Sequence, residues 1–287
     1  RRSRVMGMQQ LVSIDWLADR LGSRNLVVLD CTVYLKMGPD GFISESGRDN
    51  WAMGQIPSAG FADLNEHLVD TDSPHRYALP SPREFADAMQ ELGVDNRSRV
   101  VLYDDDNSMW AARVWWMLRW IGFDNAAVLD GGLKAWKAAG HPVTTDYSKP
   151  SKATLFVHER PDVIADKTEV MAAVEDGATC LIDALPAASF NGDVNIYGRP
   201  GHIPTATNAS AAALIDEKTG CYLPLDILRD RFPDDESARI VNYCGGGIAA
   251  SSAAFIQTVL GFDNVAVYTA SLQEWANDAN APMTIDG

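Results

Sequence analysis

The same ordered set of signals occurs twice in this chain, about 140 to 150 residues apart, so any fold adopted by one half must also suit the other. Leu26-Val-Val-Leu-Asp30 has its counterpart in Thr179-Cys-Leu-Ile-Asp183, and the turn Gly54-Gln-Ile-Pro57 in Gly201-His-Ile-Pro204. The longest match runs from Val100-Val-Leu-Tyr103, through a loop and a helix, to Gly122-Phe-Asp-Asn125. It recurs from Ile240-Val-Asn-Tyr243 to Gly261-Phe-Asp-Asn264. Beyond it the copies keep step at a constant offset of 139, with Ala127-Val128, Leu133 and Trp136 against Ala266-Val267, Leu272 and Trp275. The shared order excludes chance.

Each copy alternates short apolar runs with segments of helical period, the pattern of strands joined by crossover helices. The expected architecture is therefore α/β: two tandem domains, each a parallel sheet covered by helices on both faces. Ser81-Pro82-Arg83-Glu84 reads as a helix start, with a capping serine, proline in the first turn and glutamate three residues on, and Gly93 as the stop. Asp166 with Glu169, ending at Gly177, plays the same part in the second copy. Tyr147 to Pro161 has no helical period and reads as the linker, which divides the chain into residues 1–150 and 151–287.

The 287 residues, 46% hydrophobic and 22% charged, suffice for two globular cores. Residues 1–146 carry 15 basic and 20 acidic side chains, and residues 147–287 carry 9 and 19, giving a total of −15. A polyanion would meet a repulsive field, so neither nucleic acid nor an anionic membrane surface is an expected partner. The opening Arg1 to Met8 is basic but leads into Gln9-Gln10, not into the apolar core of a signal peptide, and a cytoplasmic protein is expected. The four cysteines, Cys31, Cys180, Cys221 and Cys244, are too few for a disulfide scaffold and too scattered for a structural zinc site, so no metal is expected.

Cys244 differs from the other three by its neighbours. It ends the apolar run Ile240-Val-Asn-Tyr243 and is followed by Gly245-Gly246-Gly247 and then by the first turns of a helix. Consecutive glycines let successive N–H groups curl into one small bowl, and a helix N-terminus adds partial positive charge. Such a bowl favours thiolate, the reactive form of cysteine. The matching loop of the first copy reads Asp104-Asp-Asp-Asn107-Ser-Met and has no thiol. One copy is armed and the other is not.

The duplicated α/β pattern, Arg113-Val-Trp-Trp-Met-Leu-Arg119 with Val128-Leu-Asp-Gly-Gly-Leu-Lys-Ala-Trp136, and the Gly-His-Ile-Pro and Cys-Gly-Gly-Gly-Ile-Ala segments resemble the tandem-domain rhodanese family of thiosulfate and 3-mercaptopyruvate sulfurtransferases. The resemblance spans nearly the whole chain. It implies a non-catalytic first rhodanese-like domain, a catalytic second one, and a substrate cleft between them. It further implies that Cys244 takes sulfane sulfur from thiosulfate or 3-mercaptopyruvate as a persulfide and passes it to a thiol or cyanide, without a cofactor. The backbones of Gly245, Gly246, Gly247, Ile248 and Ala249 would bind the anion.

Two arginines of the family pattern are missing, with Leu185 and Ser189 in their places, which leaves Arg199 as the nearby arginine to grip a carboxylate or sulfonate. Of the serine-histidine-aspartate arrangement in mercaptopyruvate-type members only Asp63 remains. Gly246 replaces the serine, Tyr77 aligns with the histidine, and His75 lies two residues away as its candidate substitute. Trp110, Trp115, Trp116 and Trp120 share one helix and cover more than one face, as expected for core and interdomain packing. A cysteine phosphatase is disfavoured, since the loop lacks the arginine that would hold phosphate. A rhodanese-fold sulfur carrier or binding module without turnover is the alternative to an enzyme.

Overall fold

The computed structural model describes residues 8–286; most of the basic opening segment lies outside them. The first lobe runs β1 (Leu11–Val12), α1 (Ile14–Ala18), β2 (Leu26–Asp30), β3 (Val33–Gly38), β4 (Gly41–Ser46), α2 (Arg48–Met53) and β5 (Gly60–Phe61). It continues with α3 (Pro82–Glu91), β6 (Arg99–Tyr103), α4 (Met109–Trp120), β7 (Ala126–Leu129) and α5 (Gly132–Ala138). The second runs β8 (Ile164–Ala165), α6 (Lys167–Asp176), β9 (Cys180–Asp183), α7 (Ala187–Phe190), β10 (Thr207–Asn208) and α8 (Leu225–Arg229). Then come β11 (Ile240–Tyr243), α9 (Ile248–Leu260), β12 (Val265–Tyr268) and α10 (Ser271–Trp275).

The duplication read from the sequence is the architecture. The first sheet has the order β1-β7-β6-β2-β5 and the second β8-β12-β11-β9-β10, element for element the same, with every pairing parallel. Even single bonds repeat. The Tyr103 hydroxyl accepts from the Ile56 N–H at 3.2 Å and the Tyr243 hydroxyl from the Ile203 N–H at 3.0 Å, each fastening a turn to a central strand. The helix starts follow their caps: Ser81 and Glu84 complete a reciprocal capping box on α3, and Asp166 accepts from the Glu169 N–H on α6.

The hairpin β3–β4 breaks the repeat. It is antiparallel, turns through Pro39-Asp40 between the paired Gly38 and Gly41, and belongs to the first lobe alone.

Helices α4 and α9 each follow a central strand and pack on each other, so that one apolar cluster continues from the first lobe into the second. Trp115 meets Phe255 edge-on with centroids 4.9 Å apart, and its indole N–H is satisfied by the Ala126 carbonyl at 3.0 Å. Trp116 donates to the Val163 carbonyl across the same seam. The tryptophans therefore pack as expected, and Trp110 has a second role described below. Separate apolar clusters fill the outer face of each sheet. The connecting residues 151–160 lie along the first lobe. The Ala153 and Leu155 N–H groups bond to Gln90, and the His158 and Arg160 N–H groups to the carbonyls of Ile121 and Trp120.

Candidate active site

In a parallel sheet, binding sites form beyond the carboxyl ends of the strands. The α4–α9 contact brings two such ends together, the β6–α4 loop of one lobe and the β11–α9 loop of the other. Between them lies a cavity of about 330 Å³. The second lobe contributes Leu185, Ile196, Tyr197, Cys244 and the start of α9. The first contributes the hairpin tip (Leu35, Asp40, Phe42), Arg76 and Tyr77, and Asp106, Met109 and Trp110. Cys244 is only 2% exposed and lines this cavity, sheltered from bulk solvent.

The glycine loop has the conformation a sulfur anion needs. Gly247 has φ +88°, a left-handed value that a side chain rarely adopts, and its N–H donates to Cys244 Sγ at 3.1 Å. The loop's carbonyls are tied away from the sulfur. Cys244 O accepts from the Leu272 N–H and Gly245 O from the Gln273 N–H, at 3.0 and 3.1 Å. Gly247 O accepts from the Ser251 hydroxyl and from Arg113 Nη1. Since the C=O and N–H of a trans peptide point in opposite directions, these anchors turn the loop amides toward the other side. Gly245, Gly246, Ile248 and Ala249 line the cavity beside Cys244; Gly247 acts from behind, on the sulfur itself. Glycine at 245 is also a matter of space, because a Cβ there would overlap the Tyr197 hydroxyl.

Three expected residues are not brought to the cavity. Arg199 donates from Nε to Ala276 O and from Nη2 to Trp275 O and Asp278 O, so its guanidinium closes the C-terminus of α10 and does not wait for an anion. Asp63 lies in a separate cleft with Arg48 and His67, its Oδ1 accepting from the Asn65 and Glu66 N–H groups. His75 faces Glu274 at 3.6 Å across the lobe boundary, outside the cavity lining.

Arg76 was missed in the sequence. Its backbone is clamped to the second lobe by Gln273, which accepts from the Arg76 N–H at 2.8 Å and donates to its carbonyl at 2.9 Å, and the residue lines the cavity. The signal was its place next to Tyr77, the residue aligned with the family histidine. Leu185, in place of a family arginine, makes the opposite wall apolar. Tyr197 was missed as well; burial pushes its phenol well up, which keeps the hydroxyl neutral.

Two α/β lobes of one topology, with a cysteine cradled at a strand end in the cleft, define a tandem rhodanese fold. The rhodanese-like domain family matches residues 13–139 and 166–278, and the chain belongs to that family. A probable 3-mercaptopyruvate sulfurtransferase of Pseudomonas aeruginosa is 35% identical over 292 residues, covering 97% of this chain and 99% of the relative. Thiosulfate/3-mercaptopyruvate sulfurtransferase 2 of Arabidopsis thaliana is 33% identical, covering 96% and 86%. The crystal structure of SseA from Escherichia coli, described as a 3-mercaptopyruvate sulfotransferase, superposes with a TM-score of 0.81 at 29% identity, over 92% of this chain and 99% of that one.

Proposed function

We propose that the protein is a sulfurtransferase in which Cys244 carries sulfur from a small anionic donor to an acceptor. The observation that carries this reading is the Gly247 N–H on Cys244 Sγ inside an interlobe cavity. The relatives named as sulfurtransferases support it along nearly the whole chain. Residues 1–150 supply one wall and residues 151–287 the nucleophile.

With 3-mercaptopyruvate as donor, the Cys244 thiolate attacks the sulfur and an S–S bond forms. The C–S bond breaks, its electron pair leaves on the pyruvate enolate, and the proton given up by the donor's thiol ends on that enolate, giving pyruvate and the persulfide as its anion. The persulfide anion stays in the amide bowl, where donors fixed before the reaction stabilise the charge without reorganising. A thiolate or cyanide then attacks the outer sulfur, the S–S bond breaks, and Cys244 returns as thiolate. No external oxidant, metal or cofactor enters this balance.

The cavity favours a donor with one carboxylate over the thiosulfate dianion. One cation, Arg76, stands in its lining together with Asp40 and Asp106, which repel a second negative charge, and the remaining walls are largely apolar. Arg76 thus takes the part expected of Arg199. A cytoplasmic setting is part of the same proposal. No helix among the described residues is long and apolar enough to cross a membrane.

The test is a two-donor assay with cyanide as acceptor. Thiocyanate and pyruvate are expected from 3-mercaptopyruvate, at a higher kcat/KM than thiocyanate from thiosulfate. Cys244→Ser should lower turnover by about a thousandfold or more, and Arg76→Ala should raise the donor KM about fivefold to tenfold. Turnover with neither donor would leave the sulfur-carrier alternative standing. Activity that survives Cys244→Ser would remove the site.

A further inference from the structure

A buried cation in the first lobe lacks a carboxylate partner. Arg113 on α4 is 1% exposed, and among the described residues no Asp or Glu lies within salt-bridge distance of it. Its Nη2 donates to Tyr77 O at 2.6 Å and its Nη1 to Gly247 O at 3.4 Å, while Nε has no partner. Burial lowers its pKa to about 10, so it remains a cation at neutral pH, and the charge drawing it upward is that of Cys244. Buried charges are ordinarily paired, and leaving one alone is costly.

We propose that Arg113 is a positioning residue for the Cys244 sulfur anion, supplied by the lobe that lacks the cysteine. It acts through the Gly247 peptide. With Ser251 it fixes the Gly247 carbonyl and so the Gly247–Ile248 peptide, which adjoins the Gly246–Gly247 peptide whose N–H meets Sγ. By holding Tyr77 O it ties the opposite cavity wall to the same point. The equivalent position of the second copy is Ser252, whose hydroxyl bonds to Tyr222, so the first lobe's own loop receives no such cation. Other groups around the sulfur act on both parent and variants alike: Tyr243 on its strand, Tyr197 and Asp183 beside it, and Arg76, Asp40 and Asp106 on the facing lobe.

The inference rests on Cys244 as nucleophile, but its test needs no sulfur donor, so a failed transfer assay and a failed test are distinguishable. Alkylation of the full chain by iodoacetamide is followed at Cys244 by peptide mass spectrometry from pH 5 to 10. Arg113→Gln should slow alkylation about tenfold at pH 7 and leave the rate at pH 10 within twofold, with Arg113→Lys restoring the parent profile. A residue that merely filled space would slow alkylation equally at all pH values or not at all. Either of those results in folded Arg113→Gln overturns the proposal. If Arg113→Gln does not fold, Arg113→Lys decides: a profile within half a pH unit of the parent is expected, and a displacement of one unit or more overturns it.

Discussion

The first lobe seats Asp104 where the second seats Cys244, each directly after the tyrosine that ends a central strand. Both loops lead into a helix through a left-handed residue, Ser108 at φ +64° and Gly247 at φ +88°. In the first lobe the carboxylate consumes the amides: Asp104 Oδ1 accepts from the Asp106 and Ser108 N–H groups and Oδ2 from the Ala111 N–H, at 2.9 to 3.1 Å. In the second a smaller group accepts one amide and leaves the rest facing a cavity. The two lobes thus use one anion cradle in two ways, sealed by its own side chain in the first and open to a ligand in the second.

If that comparison is right, removing the seal should cost more than removing the nucleophile. Asp104→Ala leaves the buried N–H groups of Ser108 and Ala111 without acceptors, at about 1–3 kcal/mol each when unsatisfied, and frees the part-buried N–H of Asp106, so the unfolding free energy should fall by about 3 kcal/mol or more. Chemical denaturation of Asp104→Ala beside Cys244→Ala measures it. Equal losses would break the comparison.

The open cradle should be sensitive at one glycine and tolerant at the next. In Gly245→Ala the new Cβ overlaps Tyr197, and kcat/KM should drop about a hundredfold, worth about 2.7 kcal/mol. In Gly246→Ala the nearest atoms stand at 3.5 Å or more, and the change should stay within about threefold. Steady-state kinetics of the two variants, each checked for folding, gives the ratio.

The smallest effect concerns the paired strand-end aspartates. Burial, opposed by bonds from Thr32, raises Asp30 to about 7; burial, opposed by the Leu185 N–H, raises Asp183 to about 6. Each holds a proton when folded at pH values where the unfolded chain has released it. Their contribution to stability is therefore full below about pH 4 and is lost as pH rises through about 6 for Asp183 and 7 for Asp30. Denaturation free energy should decline by about 1–2 kcal/mol from pH 6 to 7.5, and Asp30→Asn should flatten that slope more than Asp183→Asn. The reverse ranking would show that the lobes do not share this feature.

Much of this molecule was legible in the sequence because its determinants are local. Strand periodicity, caps at Ser81 and Asp166, and three glycines after a strand-ending cysteine lie within a few residues of what they specify. Arg199, Asp63 and His75 were misplaced for the opposite reason. An arginine's partner is chosen by the fold, and Arg199 reaches carbonyls more than seventy residues away. Arg76 became visible only once α10 had brought Gln273 across to it. The hairpin was signalled, since Gly38-Pro-Asp-Gly41 is turn chemistry between paired runs, but its contribution to the cavity comes from tertiary placement.

The seam between α4 and α9 bears on how such a chain can be cut. Each half would carry a raw, greasy scar if expressed by itself. A severed catalytic half would bare the α9 face that now rests on α4 and would lack one wall of its chamber.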